Sequence, residues 1–338
     1  MKKIIALILV LVLNLVNFTI PTYAKENDTK TITISYTGDC TLGTYKGQSG
    51  YLFSNYYEDN GTDYFFENVK DIFSKDDLTF INLEGPLTSE TQKVQKSFPI
   101  KGNPEYVDIL KNSSIEVCNL ANNHILDCGE KGLEETKNIL KENNIGFCGM
   151  KNTYRTSING INISFLGYKV WSAEKSFKEE LLKDIKNEKE INKSNLIIVE
   201  FHWGIEREYE SSSYQEELAH YAIDSGADVI IGAHPHVLQG IEKYKGKNIY
   251  YSLGNFCFGA NKNPKDKDTL IVQETYTFDK NNNLIDIKEN IIPCKLSSVN
   301  DKNDYKPTIE KDIKEKERIL DKLKTHSKKY KETISILK

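Results

Sequence analysis

Arginine is almost missing from this chain: only Arg155, Arg207 and Arg318 carry a guanidinium, and the other basic side chains are lysines. No basic patch interleaved with aromatics stands out, which excludes a nucleic-acid partner. Cysteine is sparse as well. The six thiols, at 40, 118, 128, 148, 257 and 294, show no C-x-x-C spacing, so a zinc site built on cysteine pairs is not indicated. An exported chain permits disulfides, but Cys118 and Cys257 fall in apolar strands and read as buried thiols. Internal repeats and long Pro/Gly linkers are absent, so nothing in the composition cuts the chain into separate modules.

Long apolar runs occur once, at the start. MKKIIALILVLVLNLVNFTIPTYA places Lys2 and Lys3 before a run from Ile4 to Ile20, then Thr22 and Ala24 at the −3 and −1 positions of a cleavage point. Residues 1–24 read as a secretory signal peptide. An uncleaved membrane anchor through residues 4–20 is the alternative. Either way the working domain is expected outside the cytoplasm. Removing Lys2 and Lys3 takes the net charge from −4 to −6, so the mature protein is mildly acidic.

From Thr31 onward short apolar runs alternate with helical patterns, the signature of an α/β fold. TITISYTGD (31–39), LTFINLE (78–84), IEVCNL (115–120), INISFLGY (161–168), NLIIVEFH (195–202), DVIIGAH (228–234) and KNIYYSLGNF (247–256) read as strands. Helices are expected over 64–74, 103–111, 129–144, 172–194 and 213–226, the last with a capping box from Ser213 to Glu216. One α/β domain spans residues 25–260. Residues 261–338 extend it with a hairpin around DKNNN and a Lys/Glu-rich tail helix over 308–336.

The six histidines are not scattered. His124, His202, His234 and His236 each lie just past the C-terminal end of an expected strand, as do Asp39 and Glu84. Ligands bind at that edge of an open α/β sheet. In HPH (234–236) the proline disfavours helical backbone at His234, so an extended segment is expected, with both imidazoles facing one side. His, Asp, Glu and Asn form the N/O donor set that suits Zn, Mn or Fe. His220, inside a helix, and His326, in the tail, are read as surface or packing residues.

Taken together, GDCTLG (38–43), NLEGPL (82–87), NLANNHILDCGEKGLEET (119–136), EFHWGIE (200–206), DVIIGAHPHVLQG (228–240) and YSLGNFCF (251–258) resemble the bacterial CapA family of capsule synthesis, associated with poly-γ-glutamate. That family is similar in turn to the calcineurin-like metallophosphoesterases. The resemblance implies a four-layer α/β/β/α sandwich around one or two divalent ions (Mn, Fe or Zn). It implies that Asp39 binds the first ion, that Glu84 bridges, and that Asn123, His202 and His234 complete the second, with His236 returning to the first. His124 would act near the leaving group. Two departures stand out: the pattern G-D-x-H meets Thr41 where histidine is expected, and Ile125 stands where an acid usually follows N-H, which leaves open whether Asp127 replaces it. Arg207 could orient an anionic substrate or form a surface ion pair with Glu206 or Glu208. Trp203 reads as packing, and Asn255 as either a site residue or a turn residue.

Two functions follow. One is an exported metal-dependent hydrolase of phosphoester or γ-glutamyl bonds. The other is a non-catalytic cell-surface scaffold that guides an anionic capsule polymer, working with membrane subunits of a synthesis complex.

Overall fold

The computed structural model describes residues 29–91 and 94–337; the signal or anchor segment read at 1–24 lies outside them. Strand β1 (Lys30–Thr41) and the short β2 (Thr44–Tyr45) lead into helices α1 (Phe53–Asn60) and α2 (Lys70–Phe73). Next come β3 (Leu78–Leu83), β4 (Ile100–Lys101), α3 (Val107–Lys111), β5 (Val117–Asn119), α4 (Gly129–Glu142) and β6 (Gly146–Cys148). The second half runs β7 (Tyr154–Ile158), β8 (Ile161–Lys169), α5 (Lys175–Lys186), β9 (Leu196–His202), α6 (Ser213–Ser225), β10 (Val229–Ala233), β11 (Ile241–Tyr244), β12 (Lys247–Tyr250) and β13 (Asn255–Phe258). The chain then adds the hairpin β14 (Asp268–Phe278) and β15 (Leu284–Lys295), the short β16 (Thr308–Ile309) and the tail helix α7 (Ile313–Ser327).

These strands form two large sheets. The first has the order β16-β15-β14-β1-β3-β5-β6 with β13 beside β1; the second is β11-β12-β10-β9-β8-β7. Side chains alternate across each strand, and the alternation assigns the layers. Ile32, Ile34, Tyr36 and Phe80 of the first sheet meet Phe165, Ile198, Ile231 and Tyr250 of the second in one apolar cluster. The opposite faces carry helices. Ile81, Leu83 and Cys118 pack under α1, α3 and α4, while Ile197, Val199 and Ile230 pack under α5 and α6. The result is the α/β/β/α sandwich that the family resemblance implies. All six cysteines are buried, and none forms a disulfide among the described residues. Among the described residues no helix is long and apolar enough to cross a membrane.

Several local expectations are corrected. The 64–74 helix is reduced to Lys70–Phe73, because Phe65 stacks on Phe53 and Phe66 on Phe256, and this aromatic packing overrides the helical period. The 103–111 helix begins as a 3₁₀ turn at Pro104–Tyr106. The capping box lies one residue earlier than read, between Ser212 and Gln215. The expected 247–256 strand divides into β12 and β13, and the second piece crosses to the other sheet beside β1. The tail helix is confined to Ile313–Ser327.

The extension is held by a charged knot. Arg318 of α7 donates both Nη atoms to Asp268, at 2.8 and 2.6 Å, and Lys322 and Lys295 approach the same carboxylate at 3.0 and 3.2 Å. Burial alone would raise the Asp268 carboxyl, yet these cations outweigh it and hold it well below the usual carboxylate range. Its stabilising contribution is therefore complete above about pH 4 and is lost as the pH falls through the depressed value. Asp268→Asn is expected to cost about 1.5–3 kcal/mol at pH 7, since the half-exposed Arg318 can rehydrate. It should also flatten the acid limb. Urea melts from pH 2 to pH 7 check both, and an unchanged acid limb in the variant would remove Asp268 from the account.

Candidate metal centre

The polar residues collect where the two sheets converge. Asp39 near the end of β1 pairs in register with Asn82 of β3 on one side and Asn255 of β13 on the other. Glu84 follows β3, and its N–H donates to Cys40 O at 2.8 Å. In the second sheet, His202 ends β9 opposite Ala233 of β10, and His234 and His236 follow directly. The approach is tight: Asp39 N–H donates to Gly254 O at 2.8 Å, and a Cβ on Gly38 would lie 2.0 Å from that oxygen. Only glycine fits there.

The HPH segment is not extended, contrary to expectation. His234 and His236 both have positive φ, 96° and 58°. Such backbone in a non-glycine residue costs on the order of 1–3 kcal/mol and persists where surrounding structure over-determines it. Here the His234 N–H donates to Asp39 Oδ2 at 3.2 Å, and Pro235 O accepts from Arg207 N–H at 2.8 Å. Proline excluded helical backbone at His234, but the left-handed region remained open and the tertiary contacts select it.

Glu84 is the centre of the cluster. Its Oε1 lies 3.8 Å from His202 Nε2, 3.8 Å from His236 Nε2 and 3.9 Å from His124 Nε2. His236 Nδ1 sits 3.0 Å from Asp39 Oδ2, and His202 Nε2 sits 2.9 Å from Asn123 Oδ1. Of three donor sets with candidate ligating atoms within 4.8 Å of one another, two draw on the strand ends: Asp39, Glu84 and His236, and Glu84, His202 and His234. They share Glu84.

Both Glu84 carboxylate oxygens and His234 Nδ1 are buried without a hydrogen-bond partner. Buried polar atoms are nearly always partnered, so three orphans on two residues of one donor set fit a cation. Burial and the neighbouring charges set the electrostatics. Burial pushes the Glu84 carboxyl up to about 8, against the pull of His236 and with the push of Asp39. Burial also lowers His202 well below its ordinary value and, together with His236, lowers His234 to about 4. Those two imidazoles are thus neutral lone-pair donors, the form a metal takes. For His236 burial opposes charge, but the Glu84 and Asp39 carboxylates outweigh it and raise the ring to about 10. Asp39, Glu84, Asn123, His202, His234 and His236 are residues that could hold one or two divalent ions.

His124 stands beside this set. Its Nδ1 is 2.8 Å from Asp127 Oδ2, and burial, partly offset by that hydrogen bond, lowers its pKa. Asp127 also accepts Ile100 N–H at 2.6 Å and pairs with Lys96 at 2.7 Å. Asp127 therefore occupies the orienting position that Ile125 cannot, and Ile125 is buried in the core. Arg207 is exposed on the rim, and among the described residues its guanidinium pairs with neither Glu206 nor Glu208.

Other residues of the site were not singled out from sequence. Asn82 donates to Asp39 Oδ1 at 2.7 Å and lies 3.3 Å from His202 Nδ1, holding one donor from each sheet. Lys96 Nζ reaches Asn123 O at 3.0 Å. Glu206 faces His234 and His236, and Trp171 stands edge-on to His234 at 4.8 Å while half exposed. Asn82 shows in the sequence only as a polar residue within a strand, without its distant partners; Lys96 and Trp171 come from loops with no periodic signal. Asn255 does reach the site, with Oδ1 2.9 Å from His236 Nδ1. Trp203 is core, stacked on Phe201. His220 pairs with Glu242, and His326 with Glu210, away from this centre.

The family model described as bacterial capsule synthesis protein PGA_cap matches residues 33–260. The capsule biosynthesis protein CapA of Bacillus anthracis is 33% identical over 274 residues, covering 74% of this chain and 65% of that protein. The PGA biosynthesis protein CapA of Bacillus subtilis strain 168 is 32% identical over 262 residues, covering 72% and 67%. The match thus spans about two thirds of these relatives' length. A solved phosphatase structure from Mycoplasma pneumoniae, 14% identical, covers 78% of this chain and 94% of its own at a TM-score of 0.49; the layer assignment above rests on this chain's own strand order. Six motifs that meet where the two sheets converge all fall within the matched region, and the chain belongs to the bacterial capsule synthesis protein PGA_cap family.

Proposed function

We propose that this protein is an exported, metal-dependent hydrolase of phosphoester or γ-glutamyl bonds that serves poly-γ-glutamate capsule synthesis. The observation that carries the reading is Glu84: a fully buried carboxylate, ringed by three imidazoles at 3.8–3.9 Å, with no hydrogen bond to either oxygen. A structural role would have partnered it. The relatives' names supply the pathway, since one is a PGA biosynthesis protein and another a capsule biosynthesis protein.

A divalent ion supplies Lewis-acid polarisation and lowers the pKa of water towards about 7. The chain's residues do the rest. His124 is fixed by Asp127 on Nδ1, which leaves Nε2 facing the cluster to take a proton and return it to a leaving group. Asp127 stabilises the imidazolium while the proton is held, and Lys96 pairs with Asp127 at 2.7 Å. Arg207, free at the rim, suits an anionic substrate by a bidentate contact. Membrane subunits of a synthesis complex are the partners this reading implies.

The scaffold reading draws on Thr41, a buried hydroxyl without a partner in place of the histidine that the phosphoesterase pattern requires. One experiment separates the two. The full chain, its His124→Ala variant and its His234→Ala variant are analysed for bound metal after dialysis, then assayed on phosphodiesters and γ-glutamyl peptides. A hydrolase retains metal in His124→Ala, loses it in His234→Ala, and drops about 10²–10⁴-fold in kcat in His124→Ala. Wild type that holds no metal after reloading with Mn, Fe and Zn would sink the hydrolase reading. A metal-loaded wild type inactive on both substrates, yet able to bind polyglutamate, would favour the scaffold.

A further inference from the structure

The donor sets described above leave the first ion short of a ligand, because Thr41 offers only a hydroxyl. A further carboxylate faces the same histidines. An oxygen of Glu206 and one ring nitrogen each of His234 and His236 lie within 4.8 Å of one another. Glu206 belongs to the loop after β9, and the backbone sets its position. Gly204 turns the chain with φ of 81°, and Arg207 takes φ of 66° so that its N–H can donate to Pro235 O at 2.8 Å. That bond ties the segment to the HPH turn, on the opposite side of Glu206 from the glycine. The exposed Glu206 carboxylate makes no hydrogen bond or ion pair among the described residues, although Arg207 is adjacent. A surface acid beside a free arginine that instead faces two imidazoles, one of them buried with an unpartnered Nδ1, has the geometry of a ligand.

We infer that Glu206 is a metal ligand of this centre, supplying from the β9 loop the donor that position 41 lacks. The inference rests on the metal-dependent reading above. It also gives the centre an exposed ligand whose loss leaves the buried donors and the fold intact. The two positive-φ residues, Gly204 and Arg207, are then part of the metal site through the backbone they impose, although neither side chain coordinates.

The test uses the full chain as wild type, Glu206→Gln and Glu208→Gln, titrated with Mn²⁺ while the free ion is followed by electron paramagnetic resonance. Melting curves establish that each variant is folded. Glu206→Gln is expected to weaken Mn²⁺ binding about 10-fold or more, and Glu208→Gln, which removes the same charge two residues away, to leave it unchanged. Equal binding in wild type and Glu206→Gln overturns the inference alone. Equal weakening in the two variants also overturns it, because the effect would then be general charge. No binding of Mn²⁺, Fe²⁺ or Zn²⁺ by the wild type overturns both this inference and the metal-dependent reading.

Discussion

Glu84→Gln is expected to strip the protein of tightly held metal, weakening affinity by about 100-fold or more, since loss of a mere outer partner of a ligand already costs about 10–100-fold. Glu84 belongs to both buried donor sets and approaches three imidazoles. An amide offers one weak acceptor where the carboxylate offers two charged ones. The loss should also appear in stability. An ion bound only by the native state at 100 times its Kd stabilises it by about 2.7 kcal/mol, and the variant should forgo that increment. Thermal melts of both proteins, with chelator and with added Mn²⁺, give the readout. A wild type that melts higher with metal, beside a variant that does not, is the expected pattern. Equal metal shifts in the two would remove Glu84 from the centre.

Trp203→Ala is expected to destabilise the fold by about 3–5 kcal/mol. The indole is fully buried, stacks on Phe201 at 4.7 Å and lies against Tyr251 at 5.9 Å. Its Nε1–H donates to Tyr251 O at 2.9 Å. Truncation opens a cavity under α6 and leaves that carbonyl without its partner, and both effects act in the same direction. Because Trp203 immediately follows His202, the variant also separates packing from chemistry. With the protein still folded at low temperature, metal affinity should stay within a few fold of wild type. Chemical denaturation and a metal titration on the same sample check both halves. A loss of metal binding without loss of stability would place the indole in the site instead.

Much of the centre was legible because strand periodicity and edge chemistry are local properties. The runs ending at Asp39, Glu84 and His202 alternate or saturate with apolar residues, and a polar, metal-competent group directly after each run can only be at the strand's end. Five such ends, read without any contact information, name most of the residues that surround Glu84 in the folded chain. Asn82 is the instructive omission. It lies inside a largely apolar strand, and among its partners Asp39 and His202 are 43 and 120 residues away. No window of sequence contains that geometry.

The chain by itself determined the α/β class, the family motifs and the strand ends at which metal-competent residues stand, because each depends on periodicity or on residue type at a strand terminus. Tertiary structure alone decided the rest. Packing of Phe65 and Phe66 against Phe53 and Phe256 cancelled a helix that the period favoured. The left-handed turn at His234 and His236 arises from a hydrogen bond to Asp39 in the other sheet and one from Arg207 to Pro235. Glu206 turned toward the histidines for the same reason. Local propensities differ by about a kcal/mol or less per residue, so contacts between distant segments, worth as much or more, choose among the conformations that the sequence leaves open.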